Sequence, residues 1–197
     1  MTFLNYLISG ISLGSIYAII ALGYTMVYGI AKMLNFAHGD IIMIGAYAGI
    51  VTVNQLGLPP IVAVIVSVVI CAGLGMLIEF LAYKPLRQAP PLSVLITAIG
   101  VSYLLQNLST YVTGGLAQAY PNIPWLRTEI EIGGITVRRL AILTPVLTIL
   151  LVIALVIVIK HTKMGMAMRA VAKDFDTAQL MGIRINSVIS FTFIIGS

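Results

Sequence analysis

The sequence predicts an all-α, polytopic membrane helix bundle, with about five full spans and the start of a sixth. Two observations carry this. Apolar side chains make up 60% of the 197 residues and charged ones 9%, against roughly 45–50% and about 25% in soluble domains. So little charge cannot cover a surface facing water, whereas apolar side chains facing hydrocarbon cost nothing. The charges are also segregated. None occurs between Thr2 and Ala31, Ile41 and Ile78, Gln88 and Leu126, or Leu140 and Ile159. A spanning helix needs about 20 apolar residues, so the first and fourth stretches supply one helix each, and the second and third are long enough to divide.

Span one is expected over Leu4–Tyr28, with Gly10 and Gly14 four apart on one face, where a second helix can approach closely. The polar link AKMLNFAHGD, 31–40, follows. Span two is expected over Ile41–Val53, with Gly45 and Gly49 again four apart. At that length it is tilted, partly re-entrant, or extended by the preceding link. The breaker cluster NQLGLPP, 54–60, reads as a turn.

Span three, Ile61–Ala82, carries a small-residue stripe at Ser67, Cys71 and Gly75, and Glu79 near its end beside Lys84 and Arg87. That placement favours a local ion pair over an ion path. After the loop 84–91, span four runs over Leu92–Val112. The connection 113–139 holds Pro121, Pro124 and Trp125, a residue suited to the membrane interface. Within it, EIEIGGITV alternates around Gly133-Gly134 and reads as a small β-hairpin. Span five is Leu140–Ile159. The last charge-free stretch, 185–197, is too short to span, which predicts a chain that appears truncated at its C-terminus, inside a helix.

A net charge of +5 raises nucleic acid as a partner, but the positions of the charges favour the bilayer. With loop 160–186 on the cytoplasmic side, alternation puts Lys32, Lys84, Arg87, Lys160, Lys163, Arg169, Lys173 and Arg184 inside, and Arg127, Arg138 and Arg139 outside. That follows the positive-inside rule. Cys71 has no second cysteine for an internal disulfide. The N-terminus lacks the basic region of a secretory signal.

Loop 160–186 has internal order. Met168, Val171, Ala172, Phe175 and Ala178 follow helical spacing, which predicts one short amphipathic helix over Met168–Met181, stopped by Gly182. About three turns outside the membrane are marginal alone. The apolar stripe needs lipid headgroups, its own protein or a partner's groove to bury against, and Asp174 and Asp176 weaken the lipid option.

GSIYAIIALGYTMVYGIAKMLNFAHGDIIMIGAY, 14–47, and GMAMRAVAKDFDTAQLMGI, 165–183, are the stretches in which the chain most closely resembles the LivH-type permeases of branched-chain amino acid ABC importers. The likeness covers the whole chain. It implies one transmembrane permease domain over 1–197, continued by two or more further spans, with the cytoplasmic coupling loop at 160–186. It implies a bacterial inner membrane, two cytoplasmic ATPase subunits, a second related permease and an external substrate-binding protein. It implies that Ala178 and Gly182 match an A-x-x-x-G segment seated on the ATPase, with Arg169 and Phe175 in the same coupling element. Relatives of this fold also move urea and short amides. The sequence contains no G-x-x-x-x-G-K-[ST] phosphate loop, so a motor using that route is another chain.

Gln106 and Asn107 are the deepest amides, candidates for lining a path or joining helices. His38 and Asp40 read as a turn or helix cap, with the aspartate at the positive end of the helix dipole, rather than as a metal site. Neither cofactor nor catalytic residue is expected. An intramembrane enzyme would need a nucleophile with a base, or paired acids, at one depth. An ion-coupled carrier would need ionisable groups near mid-membrane, and the sequence reading places none there. A plain membrane anchor would need neither the small-residue seams nor the long loop.

Overall fold

The structure, a computed structural model, describes residues 2–121, 123, 128–132 and 135–197. Trp125, Pro124, Arg127 and the Gly133-Gly134 turn lie outside the described residues. The helices are α1 (Thr2–Ala31), α2 (His38–Asn54), α3 (Pro60–Ile78), α4 (Pro91–Thr113), α5 (Arg139–His161), α6 (Lys163–Lys173), α7 (Phe175–Leu180) and α8 (Ile185–Gly196). A π-helical turn, Glu79–Tyr83, and a 3₁₀ turn, Lys84–Leu86, extend α3. Strands β1 (Glu129–Ile132) and β2 (Ile135–Arg138) pair antiparallel, Glu129 opposite Arg138 and Ile132 opposite Ile135, so the alternation around 129–137 does mark a hairpin.

Among the described residues, four helical stretches are long and apolar enough to cross a membrane: Phe3–Ala31, Pro60–Leu86, Pro91–Thr113 and Arg139–His161. Most of their large apolar side chains are exposed, among them Val64, Val68, Leu104 and Leu150. In water that exposure would be ruinous, and in lipid it is the outer surface of the bundle.

The chain packs as two compact units, Met1–Leu22 with Asn122–Met166, and Gly23–Pro121 with Ala167–Ser197. In the first, Thr148 on α5 turns its hydroxyl toward its own helix, donating to the Thr144 carbonyl at 2.9 Å, and lies 3.5 Å from the Ser15 carbonyl on α1. The α5–α6 turn is tight. The Thr162 hydroxyl accepts from the Gly165 amide at 2.9 Å and donates to the Val158 carbonyl. A Cβ on Gly165 would stand 2.3 Å from the Val158 and Ile159 carbonyl oxygens.

In the second unit the small-residue stripe of α3 is a two-sided seam. Ser67 donates to the Gly45 carbonyl at 2.8 Å, and Cys71 reaches the Ile41 carbonyl at 3.5 Å. A Cβ on Gly45 would lie 2.5 Å from the Cys71 sulfur, and one on Gly75 would meet Ser197 and the Phe193 carbonyl of α8. By contrast, Gly10 and Gly14 meet nothing within 4 Å.

The second crossing differs from a simple helix over 41–53. α2 has 17 residues and runs antiparallel to α3, so 41 pairs with 71 and 45 with 67. Further along α3, the Tyr83 hydroxyl meets the Leu34 carbonyl at 3.2 Å and the Asn35 side-chain oxygen at 3.1 Å. The non-helical link 32–37 therefore completes the crossing beside the π-turn. α1 ends at Ala31, and Lys32, with a φ of 55°, turns the chain back. The His38 ring then packs against Gly23, where a Cβ would stand 3.0 Å from Cε1. Gly23 lies eight residues before the end of α1, about 12 Å up the helix axis. Of the options open for span two, this packing of the link beside Tyr83 is the geometry of extension by the preceding link.

Candidate functional site

Two buried acids and one loop define the polar chemistry of the second unit. Glu79 is 1% exposed. One carboxylate oxygen pairs with the Arg87 guanidinium, and the other accepts from the Ser190 hydroxyl of α8 at 2.8 Å. Arg87 also donates to the Asn186 side chain in the first turn of α8. The expected local ion pair is therefore present, and α8 joins it. Lys84 goes elsewhere, its ammonium 4.6 Å from the Phe80 ring centre.

Asp40 lies in the first turn of α2, at the positive end of its dipole as expected, but it does not cap the helix. The residue preceding α2 is Ala37, and no side chain caps the helix. Asp40, 7% exposed, instead sends its carboxylate across to α4. It accepts from the Ser102 hydroxyl and, at 3.1 Å, from the Gln106 amide, which also lies 3.1 Å from the Ser102 oxygen. Ser102 is the middle residue of Pro91–Thr113. The view that no ionisable group stands at mid-height is therefore corrected. The link 32–37 returns the chain so that Asp40, at the start of α2, meets the middle of α4, a path invisible in hydropathy.

The two deep amides separate. Gln106 bonds across helices, while Asn107 donates to the Tyr103 carbonyl of its own helix at 2.7 Å. His38 is buried edge-on to Tyr24, ring centres 6.2 Å apart.

The loop 160–186 also differs from the single helix expected over Met168–Met181. It breaks at Asp174, whose backbone is extended (φ −157°, ψ 119°). The Asp174 carboxylate caps α7, accepting from the Asp176 amide at 3.0 Å, the Thr177 amide at 3.4 Å and the Thr177 hydroxyl. The Thr177 hydroxyl bond foremost, then the backbone amides, hold the Asp174 carboxyl below its ordinary value. Helical periodicity runs through this point because the cap interrupts the backbone without shifting the apolar stripe off the protein.

That stripe is buried on the chain itself. Met168 and Val171 are fully buried, Ala178 is 3% exposed, and Phe175 packs against the core cluster that contains Tyr83 and Phe193. At the C-terminus of α7 the Ile183 amide donates to the Ala178 carbonyl at 3.1 Å and the Gly182 amide to the Gln179 carbonyl at 3.0 Å, with Gly182 at φ +80°. This is a Schellman ending, in which only glycine takes the left-handed position at little cost. The A-x-x-x-G spacing is thus a backbone stop. Of the four residues read as one coupling element, Ala178 and Phe175 face inward, Gly182 shapes the turn, and Arg169 is exposed on the preceding helix, α6.

The exposed surface was missed. Leu180 is 87% and Met181 79% exposed, at the tip of a polar loop rather than on a spanning helix. Their signal is an apolar pair lying off the helical stripe, directly before the glycine stop. Behind α7 lies a cavity of about 1240 Å³, lined by Tyr28, Lys32, Arg87, Phe175, Gln179 and Arg184 among others.

Crossing helices, seams of small residues and a polar centre on a lipid-facing bundle define a multi-pass membrane transport subunit. The family described as branched-chain amino acid transport system / permease component matches residues 6–197, and the chain belongs to it. It is 37% identical to the high-affinity branched-chain amino acid transport system permease protein LivH of Salmonella typhimurium strain LT2 and to that of Escherichia coli strain K12. It is 36% identical to the corresponding permease protein BraD of Pseudomonas aeruginosa. Each alignment covers 99% of this chain and 67% of the relative. No solved structure matches. The resemblance seen in 14–47 and 165–183 therefore holds along nearly the whole sequence, and the chain is a permease component of an amino-acid transport system, a transport subunit rather than an enzyme.

Proposed function

We propose that this permease works in a bacterial inner membrane as one domain of an ATP-driven importer of branched-chain amino acids. Two cytoplasmic ATPases would drive it, beside a second related permease and an external binding protein. Loop 160–186 faces the cytoplasm in this reading, and α7 is the element on which an ATPase acts.

The observation that carries the reading is the tip of α7. Its apolar stripe is buried on its own protein, yet Leu180 and Met181 stand exposed at a rigid Schellman end. Two neighbouring apolar side chains held on a polar loop suit a partner's pocket. Pressure on α7 reaches the bundle by a short route. α8 begins three residues after Gly182, and its Asn186 and Ser190 hold the Arg87–Glu79 pair that anchors the π-turn of α3. Movement of α7 against the cavity behind it would shift that anchor.

The test is co-purification of the full-length permease from membranes, wild type against Leu180→Asp/Met181→Asp. Recovery of two ATPases and a second permease with the wild type, and loss of the ATPases alone in the variant, supports the reading. Transport by this chain alone in ATP-free proteoliposomes would overturn it.

A further inference from the structure

Asp40 poses a question that membrane insertion does not answer. A carboxylate in the interior of a bilayer is costly, and proteins keep one there when it pairs or works. Glu79 is paired with a cation. Asp40 is held by a hydroxyl and an amide, both neutral. No ion pair to it forms among the described residues, and its place in the first turn of α2 gives it only the partial positive charge of that helix's dipole.

Three further features surround it. A carboxylate has about four lone-pair positions, and the Ser102 and Gln106 bonds occupy two, leaving room for more donors. Asp40 itself is buried, but Gln106 is exposed, so the cluster opens along the α4 side. The site also sits where the second crossing changes from the non-helical link 32–37 to α2, at the midpoint of α4. Broken crossings near mid-membrane are tolerated where backbone is buried or lines a cavity, and they are where carriers bind cargo.

A group that complements this site is positive, compact and rich in donors. A primary ammonium has three N–H donors and the charge that Asp40 lacks. Resting on the reading of this chain as an amino-acid permease, we propose that Asp40, with Ser102 and Gln106, is a station that receives the α-ammonium group of the amino acid halfway across. Ser102 and Gln106 hold the carboxylate against α4 between passages, so that it does not require a permanent counter-ion that cargo would have to displace.

The experiment uses the complete transporter in proteoliposomes, with radiolabelled leucine carried by the external binding protein. For Asp40→Asn, leucine imported per ATP hydrolysed is expected to fall about tenfold or more, the scale of one lost charge-assisted contact. Asp40→Glu, which keeps the charge, recovers part of it. A ratio for Asp40→Asn within about twofold of wild type overturns the proposal. If Asp40→Asn does not assemble, Ser102→Ala decides. It leaves the charge in place, and the proposal expects a raised KM with kcat retained, whereas an unchanged KM overturns it. A wild-type transporter that imports no leucine sinks the amino-acid reading itself, an outcome separate from either variant result.

Discussion

Glu79 and Asp40 are both buried carboxylates on the α2–α3 side of the bundle, and they are solvated in opposite ways. Glu79 has a full ion pair, a serine hydroxyl and a second helix closing over it. Asp40 has two neutral donors from one helix. The first arrangement locks helices together, since separating α8 from α3 would take the Ser190 hydroxyl from Glu79 and the Asn186 side chain from Arg87. The second holds a charge ready without neutralising it. Buried charge is therefore not one category in this protein. Its role follows from whether the partner is a cation.

The sharpest way to break the comparison is to remove the cation. Arg87→Met leaves Glu79 in an apolar setting and takes away the bond to Asn186. Breaking a buried pair from one side costs about 3–5 kcal/mol. We expect a severe loss of thermal stability for Arg87→Met in detergent, with Glu79→Gln/Arg87→Met recovering most of it, because no lone charge remains. A double variant as unstable as the single one would show that the pair's charge is not what matters.

Next in size, Ser190→Ala removes a hydrogen bond to a charged group, worth about 1.5–3 kcal/mol. It should lower the melting temperature while leaving the Arg87 pair in place. Gly182→Ala should cost about 1–2 kcal/mol at the Schellman end through left-handed strain alone, because open space surrounds its Cβ position. This makes a bulky residue at Gly182 a poor probe of docking, since strain and docking would change together. Leu180 and Met181 are the cleaner probes.

Asp40→Asn should move stability least among the buried sites. The amide keeps an acceptor for Gln106, and no cation is stranded, so a change of at most about 1 kcal/mol is expected. Thermal melts of Asp40→Asn and Arg87→Met side by side test the contrast directly. Equal losses would erase the distinction between a locking acid and a poised one.

The sequence made part of this legible. Charge-free runs delimit the long helices because lipid tolerates no stray charge. The Ser67, Cys71 and Gly75 stripe marks a seam because helices approach closely only over small side chains. Glu79 and Arg87 are eight residues apart, so their pairing is a local matter. Asp40 and Ser102 are 62 residues apart, and hydropathy places Asp40 in a surface link. Only the return of 32–37 beside Tyr83 brings the acid to the middle of α4. The break at Asp174 escaped for a different reason. Periodicity reports which face is apolar, and both α6 and α7 keep that face on the protein across the break.

Asp174 completes the series as an acid in water, and the effect expected there is the smallest. Its partners are the amides and hydroxyl that open α7, and these hold its carboxyl below its ordinary value of 3.8. A carboxyl depressed on folding stabilises the fold above its unfolded value and loses that contribution as pH falls through the lower folded one. The α7 cap should therefore be in full force at neutral pH and remain so down to 3.8, weakening only below that. Asp174→Asn keeps an acceptor for the Asp176 and Thr177 amides but has no charge to titrate, so it should abolish the acid dependence while preserving most of the cap. Amide hydrogen exchange at Thr177 and Ala178, followed from neutral to acid pH after correction for intrinsic rates, reads this directly. Protection that declines well above pH 3.8 would mean that another group, and not the Asp174 carboxylate, holds the start of α7.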